Sequence, residues 1–152
     1  MVTGIEKSEF ISFLNEKIEY KIRKANEYLE SIQESIRSET KSTAGDKHDT
    51  TRELMQQERN KAAQNISHQL LAQKTIIELR KSKISKQIGF GSLVQTNRSW
   101  IYIGLSFGKV IYGDHEVLCV SAVSPLARAF ESKRENQEVN FNGVVYSIEK
   151  VE

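Results

Sequence analysis

Residues 11–36 read ISFLNEKIEYKIRKANEYLESIQESI, and this stretch decides the fold. Its apolar or alanine positions are Ile11, Leu14, Ile18, Ile22, Ala25, Leu29, Ile32 and Ile36. The steps between them are three or four residues, which is the a/d pattern of a helix with one narrow apolar seam. The remaining surface is charged or polar. A helix with a single stripe needs one partner rather than a crowded bundle.

The partner lies further along the same chain. Met55, Ala62, Ile66, Leu70, Ile77 and Ile84 recur at similar spacing, although Arg59, Gln73 and Arg80 occupy other seam sites. Folding the chain at Gly45 sets Leu29 opposite Ala62, Ala25 opposite Ile66, Ile22 near Leu70 and Leu14 near Ile77. Partner numbers then sum to nearly one value, as an antiparallel hairpin requires. With about thirty residues per helix rising 1.5 Å each, the expected arm is roughly 45 Å long.

Composition changes near residues 86–89. From residue 88 onward come six of the eight glycines, the only Trp and the only Pro. GSLVQTN, SWIYIGL, KVIYG, EVLCVSAV, QEVNF and VVYSIEKVE read as short strands rich in β-branched and aromatic residues. Asn142-Gly143 is a hairpin-turn signal. One helix interrupts them: Ser124 is a good N-cap, Pro125 suits the first helical position, and LARAFES follows. The expected class is α+β: an N-terminal antiparallel two-helix coiled coil over 1–87, then a small antiparallel β domain with one helix over 88–152.

The totals narrow the function classes. The chain has 152 residues, 22 basic and 20 acidic side chains, and net charge +2. That near-balance falls short of the basic excess usual for a protein that grips duplex DNA along its backbone, and it argues against independent, sequence-specific DNA binding. No run reaches the roughly 20 apolar residues of a membrane span. The first residues lack the pattern of a secretory signal, so the expected address is cytoplasmic. Cys119 sits alone in an apolar run and reads as a buried thiol. No Gly-rich phosphate loop, Cys-x-x-Cys pair or nucleophile triad is present. His48, His68 and His115 read as surface residues.

The expected hairpin tip, 44–50, carries Asp46 and Asp49. On local grounds helix capping accounts for them, and Thr50 with Glu53 fits a capping box. Placement gives them a second reading. Two acids at the far end of an arm reach into another molecule's cleft. Two hard oxygen donors suit Mg²⁺ but are too few for a tight site. Such a pair is fitted to complete a metal shell in trans. Lys41, Lys47, Arg52, Arg59 and Lys61 flank the tip, either as a solvated charged face or as contacts for a nucleic-acid backbone.

Taken together, the chain resembles the Gre family of bacterial transcript-cleavage factors over nearly its whole length. VSAVSPLARAFESKRENQEVNFNGVVYSIEKVE, residues 120–152, is similar to the family's C-terminal pattern, with Ser124-Pro125-Leu126-Ala127-Arg128-Ala129 its most specific part. IGFGSLV looks like the family's domain-opening strand, and AGDKHD is similar to its HGDLxEN tip, with Asp49 in place of a Glu. The resemblance implies an FKBP-like second domain that binds RNA polymerase, with Ser124, Pro125 and Leu126 at that contact. It implies an arm inside the polymerase secondary channel, where Asp46 and Asp49 share a Mg²⁺ with the polymerase and promote cleavage of backtracked nascent RNA. Lys47 and Arg52 would contact that RNA. The protein is then a monomeric accessory factor, not itself an enzyme. Arg52 stands near a position that is aromatic in the family, and ESKRENQE lacks the usual turn glycines, with Asn136 as a substitute for positive φ. The alternatives are a channel-binding inhibitor without cleavage activity, an FKBP-type isomerase or chaperone, and a plain coiled-coil interaction protein.

Overall fold

The structure is a computed structural model that describes residues 4–40 and 46–152, with side chains of 39–40 and 46–49 outside the description. The architecture is α+β. Two long helices, α1 (Lys7–Thr40) and α2 (Asp46–Lys81), precede six strands and a short helix, α3 (Pro125–Phe130). The expected fold point at Gly45 and the flanking Lys41 lie outside the described residues. Among those residues, no helix is long and apolar enough to cross a membrane.

The chain divides into two compact units: Leu14–Lys74, and the stretch up to Phe13 together with Thr75–Glu152. In the helical unit, Leu14, Ile18, Ala25 and Ile32 are buried from α1, with Ile22, Leu29 and Ile36 half-buried. The predicted seam of α1 therefore faces inward at every position. From α2, Ala62 is buried and Met55, Ile66, Gln69 and Gln73 are half-buried. The helices run antiparallel: the Tyr28 hydroxyl lies 3.2 Å from Glu58 Oε2, while Ser12, earlier on α1, meets Arg80, later on α2.

The expected seam of α2 needs correction. Leu70 is 46% exposed and Ile77 53% exposed, while Ile76 and Leu79 are buried. The true line passes through Met55, Arg59, Ala62, Ile66, Gln69, Gln73 and Ile76, keeping strict three–four alternation. The apolar residues Leu70 and Ile77 each sit one place beyond it, about 100° around the helix. Ile84 lies past the end of α2 and is also exposed.

The other unit is built on a sheet. Its strands are β1 (Leu93–Thr96), β2 (Trp100–Ile103), β3 (Gly108–Tyr112), β4 (His115–Val120), β5 (Glu138–Phe141) and β6 (Val144–Val151), ordered β3-β4-β2-β1-β6-β5. Each occupies one of the six stretches read as strands. The expected all-antiparallel sheet has one exception: β2 and β4 are parallel, Trp100 facing Val117 and Ile103 facing Val120. The β3–β4 hairpin turns back so that β4, not β3, meets β2. Asn142 and Gly143 have φ of 53° and 79°, the paired left-handed conformation that closes the β5–β6 hairpin.

One face of this sheet carries a core of Val94, Ile101, Ile103, Phe130, Val139 and Ile148 among others. The first turns of α1 and the last of α2 belong to the same unit. The Phe10 ring meets Tyr102 edge-on at 5.5 Å and Tyr112 at 5.2 Å, and Phe13 lies 4.9 Å from Tyr112. Leu79 seats on Gly104, where a Cβ would come within 2.4 Å of its Cδ2. Arg80 donates to the Ser12 hydroxyl at 3.3 Å. The start of α1 is capped by Glu6, whose carboxylate accepts the Glu9 N–H at 2.8 Å and the Ser8 hydroxyl at 2.7 Å. These bonds hold the Glu6 carboxyl below its usual pKa, the Ser8 hydroxyl contributing most.

Candidate functional site

In the helical unit, α2 starts at Asp46, so Asp46 and Asp49 fall within its first helical turn. Carboxylates there complement the positive end of the helix dipole. Their side chains, and those of Lys47 and His48, lie outside the described residues. Thr50 and Glu53 do not form the expected cap, because the helix has already begun four residues earlier. Both are exposed, as is Arg52.

Further along the hairpin, Tyr28, Ile32, Leu54, Met55 and Glu58 line a groove of ≈ 330 Å³ between the helices. Glu58 accepts from Tyr28 and also holds Lys61 at 3.4 Å. Desolvation, helped by the Glu58 charge, raises the Tyr28 phenol above its ordinary value. Two of the predicted basic flank are thus of different character: Lys61 is committed to Glu58, whereas Arg59 is half-buried in the seam.

In the sheet unit, the SPLARA segment folds as its sequence suggests. Ser124 is extended (φ −66°, ψ 152°) and its hydroxyl accepts the Ala127 N–H at 3.2 Å, with Pro125 at the first helical position. The cap turns Leu126, Ala127 and Phe130 into the core. Of the three expected contact residues, Leu126 is buried, Ser124 is engaged in capping, and Pro125 is exposed. Val123, 70% exposed, and Arg128 are the accessible neighbours. The sequence reading ran the strand EVLCVSAV through Val123, whereas β4 ends at Val120 and leaves Val123 outside the sheet. Asn136 adopts φ 69°, as anticipated for a turn without glycine, and Ser132 does likewise at 67°.

His68 is exposed, but His115 is half-buried with its ring 5.6 Å from Trp100, which corrects the surface reading. Cys119 is buried, and burial pushes its thiol up to about 12. That makes it an inert core residue at neutral pH. Among the described residues, no three His, Cys, Asp or Glu side chains gather as a metal site. The chemistry of the donor set fits Mg²⁺ only in part: two carboxylates one turn apart supply fewer than half the oxygens of an octahedral shell. Comparison with known proteins gives no matching family model and no matching curated protein.

Proposed function

We propose that the chain is a Gre-like transcription elongation factor. In this reading the sheet unit, FKBP-like in fold, docks on RNA polymerase around Pro125. The helices, a two-stranded coiled coil, carry Asp46 and Asp49 through the secondary channel to the polymerase active centre. One observation carries the proposal: an antiparallel pair of helices about ten turns long ends at a helix start bearing two carboxylates one turn apart. The capped SPLARA segment on a β scaffold supports it independently.

The division of labour follows from the donors. Asp46 and Asp49 complete, in trans, a shell that the polymerase's own carboxylates begin. Mg²⁺ held there supplies Lewis-acid activation for hydrolysis of the RNA phosphodiester. Lys47 and Arg52 neutralise phosphates of the extruded RNA and hold its register. The polymerase performs the hydrolysis, and this chain is the accessory factor.

The test is cleavage of nascent RNA in a backtracked complex with the cognate polymerase. Addition of the protein is expected to shorten the RNA from its 3′ end. Asp46→Asn with Asp49→Asn is expected to abolish stimulation while polymerase binding persists. Full stimulation by the double variant would sink the assigned role. A second reading has its own support: Asp49 is one methylene shorter than the Glu it replaces, and Arg52 adds a cation close by. That pair would suit a channel-binding regulator, for which synthesis slows and the RNA stays intact.

A further inference from the structure

Residues 80–86 read RKSKISK, four cations in seven positions. The fold gathers more around them. The segment after α2 is pinned at its start, where the Ser82 hydroxyl donates to Leu79 O at 2.7 Å and Ser82 lies against Gly91. Gly91 (φ 88°) permits this approach, since a Cβ there would stand 2.3 Å from Ser82 Oγ. The segment is pinned again at its end: Ile88 N–H donates to Lys133 O and Ser132 N–H to Ile88 O, both at 2.9 Å, while Gln87 Nε2 reaches Ser132 O at 3.3 Å. This two-way pairing sets the Lys83–Lys86 loop beside the turn that carries Lys133 and Arg134.

Lys83, Lys86 and Arg134 are exposed and Lys133 is half-buried. Among the described residues, none of the four makes an ion pair. The turn also carries two exposed acids, Glu131 and Glu135, the latter accepting the Val151 N–H at 3.2 Å, so cations outnumber acids four to two across the loop and turn. The same loop presents Phe90, 46% exposed. One ring edge rests over Gly104, where a Cβ would lie 3.2 Å from its Cε2. The ring is therefore positioned, yet half open to solvent.

We propose that this loop-and-turn surface binds single-stranded nucleic acid, with Lys83, Lys86, Lys133 and Arg134 along the phosphates and Phe90 under a base. Uncommitted cations beside an exposed, anchored aromatic are what sequence-tolerant single-strand sites use. A duplex buries its base faces and gains nothing from Phe90. An acidic polypeptide satisfies the cations but offers no base to stack. The site lies wholly in the sheet unit and is independent of the contacts assigned to Lys47 and Arg52.

The experiment titrates the free, full-length protein into fluorescein-labelled oligothymidylate and follows anisotropy across salt concentrations. Four phosphate contacts predict a log–log salt slope of about −3. Lys83→Glu with Lys133→Glu is expected to weaken binding at least tenfold and to flatten that slope. Phe90→Ala is expected to weaken it about fivefold or more with the slope unchanged, and Phe90→Tyr to restore it. Circular dichroism melts identify any variant that has lost its fold, and Lys83→Gln then replaces the charge reversal. Equal competition by duplex or polyglutamate overturns the proposal. So does an unchanged affinity in folded Phe90→Ala, or binding that depends on Lys47 and Arg52 instead.

Discussion

Tyr102 shows how a single side chain records the cost of its position. It is fully buried, ringed by Phe10, and its hydroxyl has no hydrogen-bond partner among the described residues. Burial, the largest cause, raises its pKa, with the neighbouring Cys119 adding to the effect and the Arg80 charge opposing it. Removing an unsatisfied buried hydroxyl returns its desolvation penalty, so Tyr102→Phe is expected to be neutral or stabilising by about 1 kcal/mol in urea denaturation. A clear loss of stability would mean that the hydroxyl has a partner. Cys119 gives a pH prediction. Its folded pKa of about 12 exceeds the ordinary value of 9.0. Proton affinity is higher in the folded state, so the stabilisation is complete below pH 9 and is lost as pH rises toward 12. The urea midpoint should therefore fall through that window, and Cys119→Ala should fall less steeply. The sequence marked Cys119 as buried because its neighbours are apolar. It gave no sign of the buried Tyr102 hydroxyl, since that depends on Phe10, 92 positions earlier in the chain.

The elements differ in how openly their residues declare them. α1 was readable at every seam position because its apolar residues keep one phase. α2 offers adjacent apolar pairs, Leu70-Leu71 and Ile76-Ile77, with Gln69 and Gln73 on the true line. Neither leucine lies on the true line, and in the second pair side-chain polarity does not separate buried Ile76 from exposed Ile77. Ile76→Ala is expected to cost about 2–4 kcal/mol, whereas Ile77→Ala should cost under about 1 kcal/mol, read from thermal or urea unfolding. Equal costs would return the seam to Ile77. The strands, the Ser124 cap and the Asn142-Gly143 turn were legible because each rests on local chemistry. The parallel β2–β4 pair and the pairing of residues 87–88 with 132–133 were not, because register between distant segments leaves no periodic trace. The same holds for the candidate sites: Asp46 and Asp49 stand out in the sequence, whereas Lys83, Lys133 and Phe90 become neighbours only through folding.

At the scale of the molecule, the sheet unit is assembled from two separated parts of the chain. Residues 88–152 contain every strand but lack Phe10, Phe13 and Leu79. Expressed alone, that fragment exposes Tyr102, Tyr112 and the Gly104 surface, and it is expected to be poorly folded or to aggregate. A chain joining the stretch up to Phe13 to Thr75–Glu152 through a short flexible linker restores those contacts and is expected to unfold cooperatively. Amide dispersion in NMR spectra of the two separates the outcomes. A well-dispersed spectrum from 88–152 alone would show that the helical segments contribute little.

This discontinuity also has a meaning in time. A ribosome releases Phe10 while the strands it will touch are still unwritten message, more than 90 codons downstream of it. The helical hairpin can form in that interval from contacts close in sequence, whereas the sheet must wait for β6 to reach β1 and for the earliest residues to return. Until then Phe10 and Phe13 lack the aromatic partners that cover them in the finished fold, and the growing chain carries sticky apolar surface throughout that wait.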